Sequence, residues 1–137
     1  MKDKIDFPAF TISLMEDGIV QADFKKIKEM TVEHVDQLYG AVAKLGEGKK
    51  ICMLSTFQAY IPMNDEVMEY SMRKEFQDRI SASASVLRST ALRVAVNFFL
   101  TFHKPKQPRK IFDSKEKALL WLRKIKHEVS EKEFALA

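Results

Sequence analysis

The stretch from residue 79 to residue 105 joins a run of small side chains to the most apolar segment of the chain. Residues 81–86 alternate serine with alanine before Val86, and residues 89–102 follow as an apolar helix pattern that ends in a basic, proline-containing segment. Small residues have a low intrinsic preference for strands, and they make sense in a strand that helices must approach closely. We therefore predict a central strand leading into the most apolar helix of the protein. A flexible Ser/Ala linker is the alternative, and the apolar pair Val86-Leu87 argues against it.

The helix predicted over residues 89–102 carries polar side chains along one narrow stripe. On a wheel of about 100° per residue, that stripe consists of Thr90, Arg93, Asn97 and Thr101. Apolar side chains fill the remaining arc of roughly 240°, whereas a surface helix needs an apolar face only somewhat wider than about 100°. We expect the surplus either to lie under neighbouring helices or to form a surface for a partner or a ligand.

The chain before this stretch alternates strand and helix patterns. Residues 10–14 alternate apolar with polar side chains, and residues 19–24 form a return strand after the dipeptide Asp17-Gly18, which suits a tight turn. A helix is then predicted between the N-cap Thr31 and the terminating Gly46. The protein is therefore expected to open with a β-hairpin followed by a helix.

A third strand and a second helix complete the first half. Residues 51–54 form a short continuous apolar run, which indicates a strand buried on both faces of a parallel sheet. The loop predicted over residues 55–63 leaves the strand end at which open α/β sheets place ligands. Asn64 then caps a helix with acidic residues in its first turn.

The last segments continue the alternation. Residues 103–110 form a basic loop with two prolines, which cannot continue the helix. Ile111-Phe112 is a brief strand, and Asp113 begins a final helix. The apolar face of that helix consists of Ala118, Trp121, Leu122, Ile125 and Val129.

The element order β-β-α-β-α-β-α-β-α predicts an α/β fold. It corresponds to a five-stranded, mixed and mostly parallel sheet covered by four helices. With 137 residues, a single domain over residues 1–137 is expected, with tails at residues 1–8 and 131–137.

Composition narrows the classes of protein to consider. The single Cys52 excludes an intrachain disulfide and fits a reducing compartment. The N-terminus lacks a long apolar segment, and no apolar run reaches a membrane-spanning length, so we expect a cytoplasmic protein. The net charge of +4 arises from 23 basic and 19 acidic side chains, which is too balanced for a strong nucleic-acid binder.

The chain shows no catalytic or metal-binding constellation. Its histidines, His34, His103 and His127, lie on separate predicted elements. Cys52 is expected to be a small buried side chain, and no base is placed by sequence to activate a serine. Glycine is absent beyond Gly48, which excludes a glycine-rich phosphate loop there. We predict a protein that is not an enzyme and that holds no metal and no cofactor.

Several local patterns together resemble a known family. They are Asp17-Gly18-Ile19, the Ala-rich residues 81–86, residues 97–100, Lys104-Pro105, Pro108, and Ile111-Phe112 followed by residues 117–122. In these patterns the chain resembles the small bacterial STAS/SEC14-type domains of the SpoIIAA-like group. The resemblance extends from about residue 10 to residue 127. The namesake of that group is an anti-sigma-factor antagonist.

The resemblance implies a five-stranded mixed sheet with four helices and a non-enzymatic character. True antagonists of this kind carry an Asp-Ser-Ser-Gly-like phosphorylation motif where the helix after the third strand begins. Here residues 60–66 occupy that place and contain no serine. The resemblance therefore does not imply a phosphorylation switch at this position.

The leading functional hypothesis is a non-catalytic regulatory or protein-interaction domain, with a second copy of the chain as a candidate partner. A surface for a partner or ligand is predicted at Phe57, Tyr60, Leu92, Val96 and Phe99. The alternative is a domain that binds a small apolar or lipid-like ligand in a cavity lined by Phe57, Tyr60 and Phe99.

A weaker alternative is binding to an anionic surface or to nucleic acid. The basic side chains predicted to form an anion-attracting patch are Lys104, Lys106, Arg109 and Lys110, with Lys124 nearby. Nucleic acid is the less favoured partner, and peripheral contact with a membrane stays open.

Overall fold

The computed structural model describes residues 3–102 and 106–136, with side chains described over residues 4–102 and 106–128. The strands are β1 (Asp3–Asp6), β2 (Phe10–Leu14), β3 (Val20–Phe24), β4 (Ile51–Phe57), β5 (Ile80–Val86) and β6 (Arg109–Phe112). The helices are α1 (Val32–Leu45), α2 (Asp65–Ser71), α3 (Lys74–Gln77), α4 (Thr90–Phe102) and α5 (Lys115–Leu136).

The six strands form one sheet in which they lie side by side in the order of the sequence. β1 pairs with β2, and β2 with β3, in the antiparallel sense. The pairs β3/β4, β4/β5 and β5/β6 are parallel. The predicted mixed, mostly parallel α/β fold is confirmed, and the described residues hold one strand and one helix more than expected.

The opening hairpin is confirmed at the predicted turn. Gly18 has a φ of 84°, a left-handed conformation that glycine adopts without a Cβ clash. Its N–H donates to the Met15 carbonyl oxygen at 2.9 Å, and the Met15 N–H donates to the Ile19 carbonyl oxygen at 2.9 Å. The turn therefore sets the register in which β2 and β3 pair.

The additional strand lies at the N-terminus, where the expected tail over residues 1–8 is corrected. Asp3–Asp6 pairs with β2 as the edge of the sheet. Its charged side chains are compatible with this place, because an edge strand keeps one side open. Asp6 accepts hydrogen bonds from Thr11 Oγ1 at 2.7 Å and from Lys25 Nζ at 2.6 Å. At the other end, α5 continues through residues 131–136, which were also expected to be a tail.

Two further boundaries differ from the predictions. β4 runs to Phe57 and so includes the start of the expected loop over residues 55–63, because Thr56 is fixed by Asp23 at 2.7 Å. The helix predicted from Asn64 is divided into α2 and α3. Between them, the Ser71 carbonyl oxygen accepts a hydrogen bond from the Gln77 side chain at 2.7 Å.

The sheet has a core on each face. On one face, α1, α2 and α3 cover the strands, and the buried residues of these helices are Val35, Leu38, Tyr39, Ala41, Val42, Val67 and Phe76. On the other face, α5 covers β4 and β5, and the buried residues are Ile19, Cys52, Leu54, Ala82, Ala84, Val86, Ala118 and Leu122. The α5 core is built largely from small side chains.

The small residues of β5 have the role that the sequence predicts. Ala82 and Ala84 are fully buried, and they share the core on the α5 side with Ala118. Alanine on both surfaces lets the helix approach the strand closely, since no long side chain separates the two backbones. Residues 81–86 therefore form a central strand and not a linker.

Candidate functional site

Helix α4 is fastened to the sheet at its N-terminal end. The Ser89 hydroxyl accepts a hydrogen bond from the Leu92 N–H at 3.2 Å. The Arg93 guanidinium turns back and donates to the carbonyl oxygens of Leu87, at 2.6 Å, and Arg88, at 3.1 Å. Leu87 is buried, and its N–H donates to the Phe112 carbonyl oxygen at 2.9 Å. These contacts fix where α4 begins, at the carboxyl end of β5.

Beyond this anchor, α4 lies on the surface of the described structure. None of its side chains is buried. Val94, Phe98 and Phe102 are 63%, 67% and 69% exposed, and the rings of Phe98 and Phe102 meet edge to face with centroids 5.1 Å apart. Large apolar side chains exposed to this degree in one contiguous stripe indicate a contact surface.

The side chains of α4 divide into three arcs around the helix. Leu92, Val96 and Phe99, which the sequence analysis placed in a partner or ligand surface, lie on a half-buried arc. The predicted polar stripe follows it. The opposite, exposed arc, here called the α4 stripe, consists of Ala91, Val94, Ala95, Phe98 and Phe102.

The residues of the α4 stripe were not among the predicted surface residues. The predicted helix is apolar around most of its circumference, so the pattern alone does not show which arc turns toward the sheet. The available signal was the spacing of Val94, Phe98 and Phe102 at i, i+4 and i+8, which forms one ridge.

The other two predicted surface residues lie at the ends of β3 and β4. Phe57 is the last residue of β4, and its ring stacks on Phe24 with centroids 5.0 Å apart and an interplanar angle of 12°. Tyr60 is strongly exposed in the following loop. Phe57 is therefore partly engaged in packing on β3, and the apolar cavity proposed among Phe57, Tyr60 and Phe99 stays a prediction.

The predicted basic patch is divided by the structure. Arg109 and Lys110 are neighbours in β6, so their side chains point to opposite faces of the sheet. The Arg109 guanidinium turns inward and donates to Gln77 Oε1 at 2.9 Å. Lys110 lies over the Phe112 ring on the α5 side, 5.5 Å from its centroid. Lys106 and Lys124 are exposed, and Lys104 lies outside the described residues.

The nucleophilic side chains of the central strands are engaged within the sheet. Cys52 is buried, as predicted, and its Sγ lies 3.4 Å from Ser81 Oγ. The Ser81 hydroxyl also donates to the Ile51 carbonyl oxygen at 3.2 Å. Over the described parts of the chain, no group of three His, Cys, Asp or Glu side chains is arranged to hold a metal ion. None of the helices described here combines the length and the apolar content that a membrane crossing requires.

Comparison with solved structures identifies the fold. One similar structure is that of an uncharacterized protein of the DUF3478 family with a SpoIIAA-like fold, from Shewanella loihica PV-4. Its TM-score is 0.58 at 17% sequence identity, over 83% of this chain and 92% of that chain. A second, a protein with unknown function from Arthrobacter sp. FB24, is 23% identical over 86% of this chain and 95% of that chain, with a TM-score of 0.29. The first likeness shows the fold, and the predicted SpoIIAA-like resemblance is confirmed at that level.

Comparison with curated proteins finds no match. The family described as Domain of unknown function (DUF7793) matches residues 13–126, from the end of β2 into α5. That span covers both sheet faces, the central strand and the whole of α4. The chain therefore belongs to the DUF7793 family, and its fold is SpoIIAA-like.

Proposed function

We propose that this protein is a non-catalytic interaction domain that pairs with a second copy of itself through α4. The observation that carries the proposal is the α4 stripe, in which Val94, Phe98 and Phe102 are each about two-thirds exposed. Fully burying a side chain of this size is worth about 1.5–3 kcal/mol. Covering the stripe therefore supplies a driving force for association that the isolated domain leaves unused.

The charge distribution on α4 favours a second copy as the partner. Arg93 is the single charged residue between Thr90 and Phe102, and its guanidinium is directed to backbone oxygens at the helix start. A two-fold interface brings the same patch together from both chains. Two copies of an uncharged stripe can pack together without like-charge repulsion. Two copies of a surface that carries one sign of charge repel each other.

The spacing of the stripe also suits a helix pair. Val94 and Ala95 lie three and four residues after Ala91, Phe98 lies four and three residues after them, and Phe102 lies four residues after Phe98. Two antiparallel α4 helices can interdigitate such side chains. Since one stripe is about 20 Å long, the interface lies at the small end of specific contacts, and we expect a reversible dimer of micromolar affinity.

The solution mass of the protein tests this proposal. Light scattering coupled to size exclusion is expected to give a mass that rises with concentration toward twice the chain mass of 15.8 kDa. A mass of one chain from low-micromolar to near-millimolar concentration would contradict self-association.

Two substitutions on α4 locate the contact. Phe98→Lys places a charge in the middle of the stripe and is expected to leave the protein monomeric at every concentration. Asn97→Lys adds the same charge one residue away, on the exposed polar side, and is expected to dimerise like the wild type. Equal behaviour of the two variants would place the contact elsewhere.

A further inference from the structure

Basic residues precede three parallel strands at one edge of the sheet. Lys50 comes directly before β4, Arg79 directly before β5, and Arg109 is the first residue of β6. Ile51 pairs with Ile80, so Lys50 and Arg79 start neighbouring strands side by side, whereas Arg109 pairs with Ser83 and lies farther along β5. The start of β4 and β5, together with the start of β6, is here called the amino edge, and α4 begins at the opposite end of β5, after Val86.

The Arg109 guanidinium is the innermost group of the amino edge. Its Nη2 donates to Gln77 Oε1 at 2.9 Å, and its Nη1 lies 4.0 Å from the Met72 sulfur, a weak acceptor. Its Nε is buried and has no hydrogen-bond partner. Within the described residues, no carboxylate forms an ion pair with Arg109.

A buried guanidinium without an anion is costly for the fold. A charge taken out of water must be compensated by a counter-charge and by hydrogen bonds. Burial lowers the pKa of Arg109, and it raises the pKa of the neighbouring Tyr39 phenol, which therefore stays neutral and supplies no counter-charge. The Arg109 guanidinium thus has N–H donors to which an incoming oxyanion could bind.

The rim of the amino edge is positively charged. Asp78 follows Gln77 and forms a hydrogen bond with Lys74 at 2.6 Å, which is the main cause of the lowered pKa of its carboxyl group. Lys50 and Lys106 also lower that pKa, so both lysines lie around the same carboxylate. Three lysines against one carboxylate leave an excess of positive charge around Asp78, which follows the Gln77 that contacts Arg109.

We propose that the amino edge is a binding site for a small phosphate-type oxyanion, with Arg109 as its base and Lys106 and Lys50 at its rim. This goes beyond the proposed function and involves a different part of the molecule. Two half-buried amide side chains, Gln77 and Gln107, lie over the guanidinium, where the Gln107 amide donates to Gln77 Oε1. A bound oxyanion would replace Gln77 Oε1 as the acceptor of the Arg109 and Gln107 donors, while the Gln77 amide N–H remains bonded to the Ser71 carbonyl oxygen.

A phosphate dianion fits this site better than a monovalent carboxylate. Arginine binds phosphate in a bidentate manner, and added lysines contribute as point charges. A dianion gains from both the buried guanidinium and the cationic rim, whereas a carboxylate has one charge to offer to several cations. Phosphate is therefore expected to bind more tightly than acetate at equal ionic strength.

Titration with inorganic phosphate tests the site. Isothermal calorimetry and thermal denaturation at constant ionic strength are expected to show saturable binding and a rising melting temperature for the wild-type chain. Arg109→Met is expected to weaken phosphate binding by about tenfold or more, since it removes hydrogen bonds from a charged donor. Lys110→Met, a neighbour on the opposite face of β6, is expected to bind phosphate like the wild type.

Three results would overturn the proposal. They are no phosphate-dependent change in the wild type, an equal effect of acetate, and an equal loss of binding in Arg109→Met and Lys110→Met. Should Arg109→Met fail to fold, Lys106→Met takes its place, because the exposed Lys106 side chain can be replaced without disturbing the core. Lys106→Met is expected to weaken phosphate binding several-fold. Unchanged binding in this variant would contradict the role proposed for Lys106 at the rim of the site.

Discussion

Phe10→Ala is expected to lower the free energy of unfolding by about 3–5 kcal/mol, whereas Phe98→Ala is expected to change it by less than about 0.5 kcal/mol. Phe10 in β2 is fully buried, and its ring packs against Phe7, with centroids 4.8 Å apart, and Phe24, at 5.6 Å. Phe98 in α4 is 67% exposed. The same substitution therefore opens a cavity at one site and removes only surface at the other.

Denaturant unfolding of both variants measures this contrast. The unfolding experiment is carried out at low protein concentration, where association through α4 does not add to stability. A loss of several kcal/mol in Phe98→Ala would show that α4 packs against the domain, and it would remove the basis for a free contact surface. A small loss in Phe10→Ala would contradict the core assigned to β2.

Leu122→Ala is expected to cost about 2–5 kcal/mol, and Leu120→Ala less than about 0.5 kcal/mol. The two leucines lie two residues apart in α5, so they have similar local helix context but point in different directions. Leu122 is fully buried against the small residues of β4 and β5, and Leu120 is 73% exposed. Leu122 shares its core with Ala82, Ala84 and Ala118, whose short side chains cannot extend into the cavity that Leu122→Ala leaves.

Thermal and chemical denaturation of this pair check how α5 is oriented. Both substitutions replace leucine by alanine in a helix, so differences in helix propensity cancel. Equal losses in the two variants would mean that α5 is rotated from the described position.

Local sequence signals predicted the features that local physics determines. Asp17-Gly18 predicted the hairpin turn, in which Gly18 supplies the left-handed conformation, with a φ of 84°. Thr31 and Asn64 were predicted as N-caps, and both accept a backbone N–H, from His34 at 3.3 Å and from Val67 at 2.9 Å. His34 also closes a capping box at α1, because its Nδ1 accepts from the Thr31 N–H at 3.1 Å.

Features that depend on distant partners were not predictable in the same way. Asp3–Asp6 has too little apolar character to indicate a strand, and it is one because β2 offers an open edge. The helix after β4 divides because Phe76 packs on Tyr39, with stacked rings 4.7 Å apart, and Tyr39 belongs to α1. Neither partner is visible in the segment itself.

The candidate sites show the same division. The sequence indicated that the helix after β5 carries more apolar surface than one contact uses, and the exposure of α4 bears this out. It did not indicate which arc faces outward, since apolar residues lie on both sides of the polar stripe. Likewise, Arg109 was recognisable as basic, but its inward position depends on Gln77 and Met72, more than 30 residues away.

Charge-paired variants of the α4 stripe test the central claim most directly. The double variants Val94→Lys/Phe98→Lys and Val94→Glu/Phe98→Glu are each expected to be monomeric, because each stripe would meet its own charge. An equimolar mixture is expected to sediment as a dimer, since opposite charges then face each other whether the helices run parallel or antiparallel. Dimers in either variant alone, or a mixture that stays monomeric, would contradict self-association through α4.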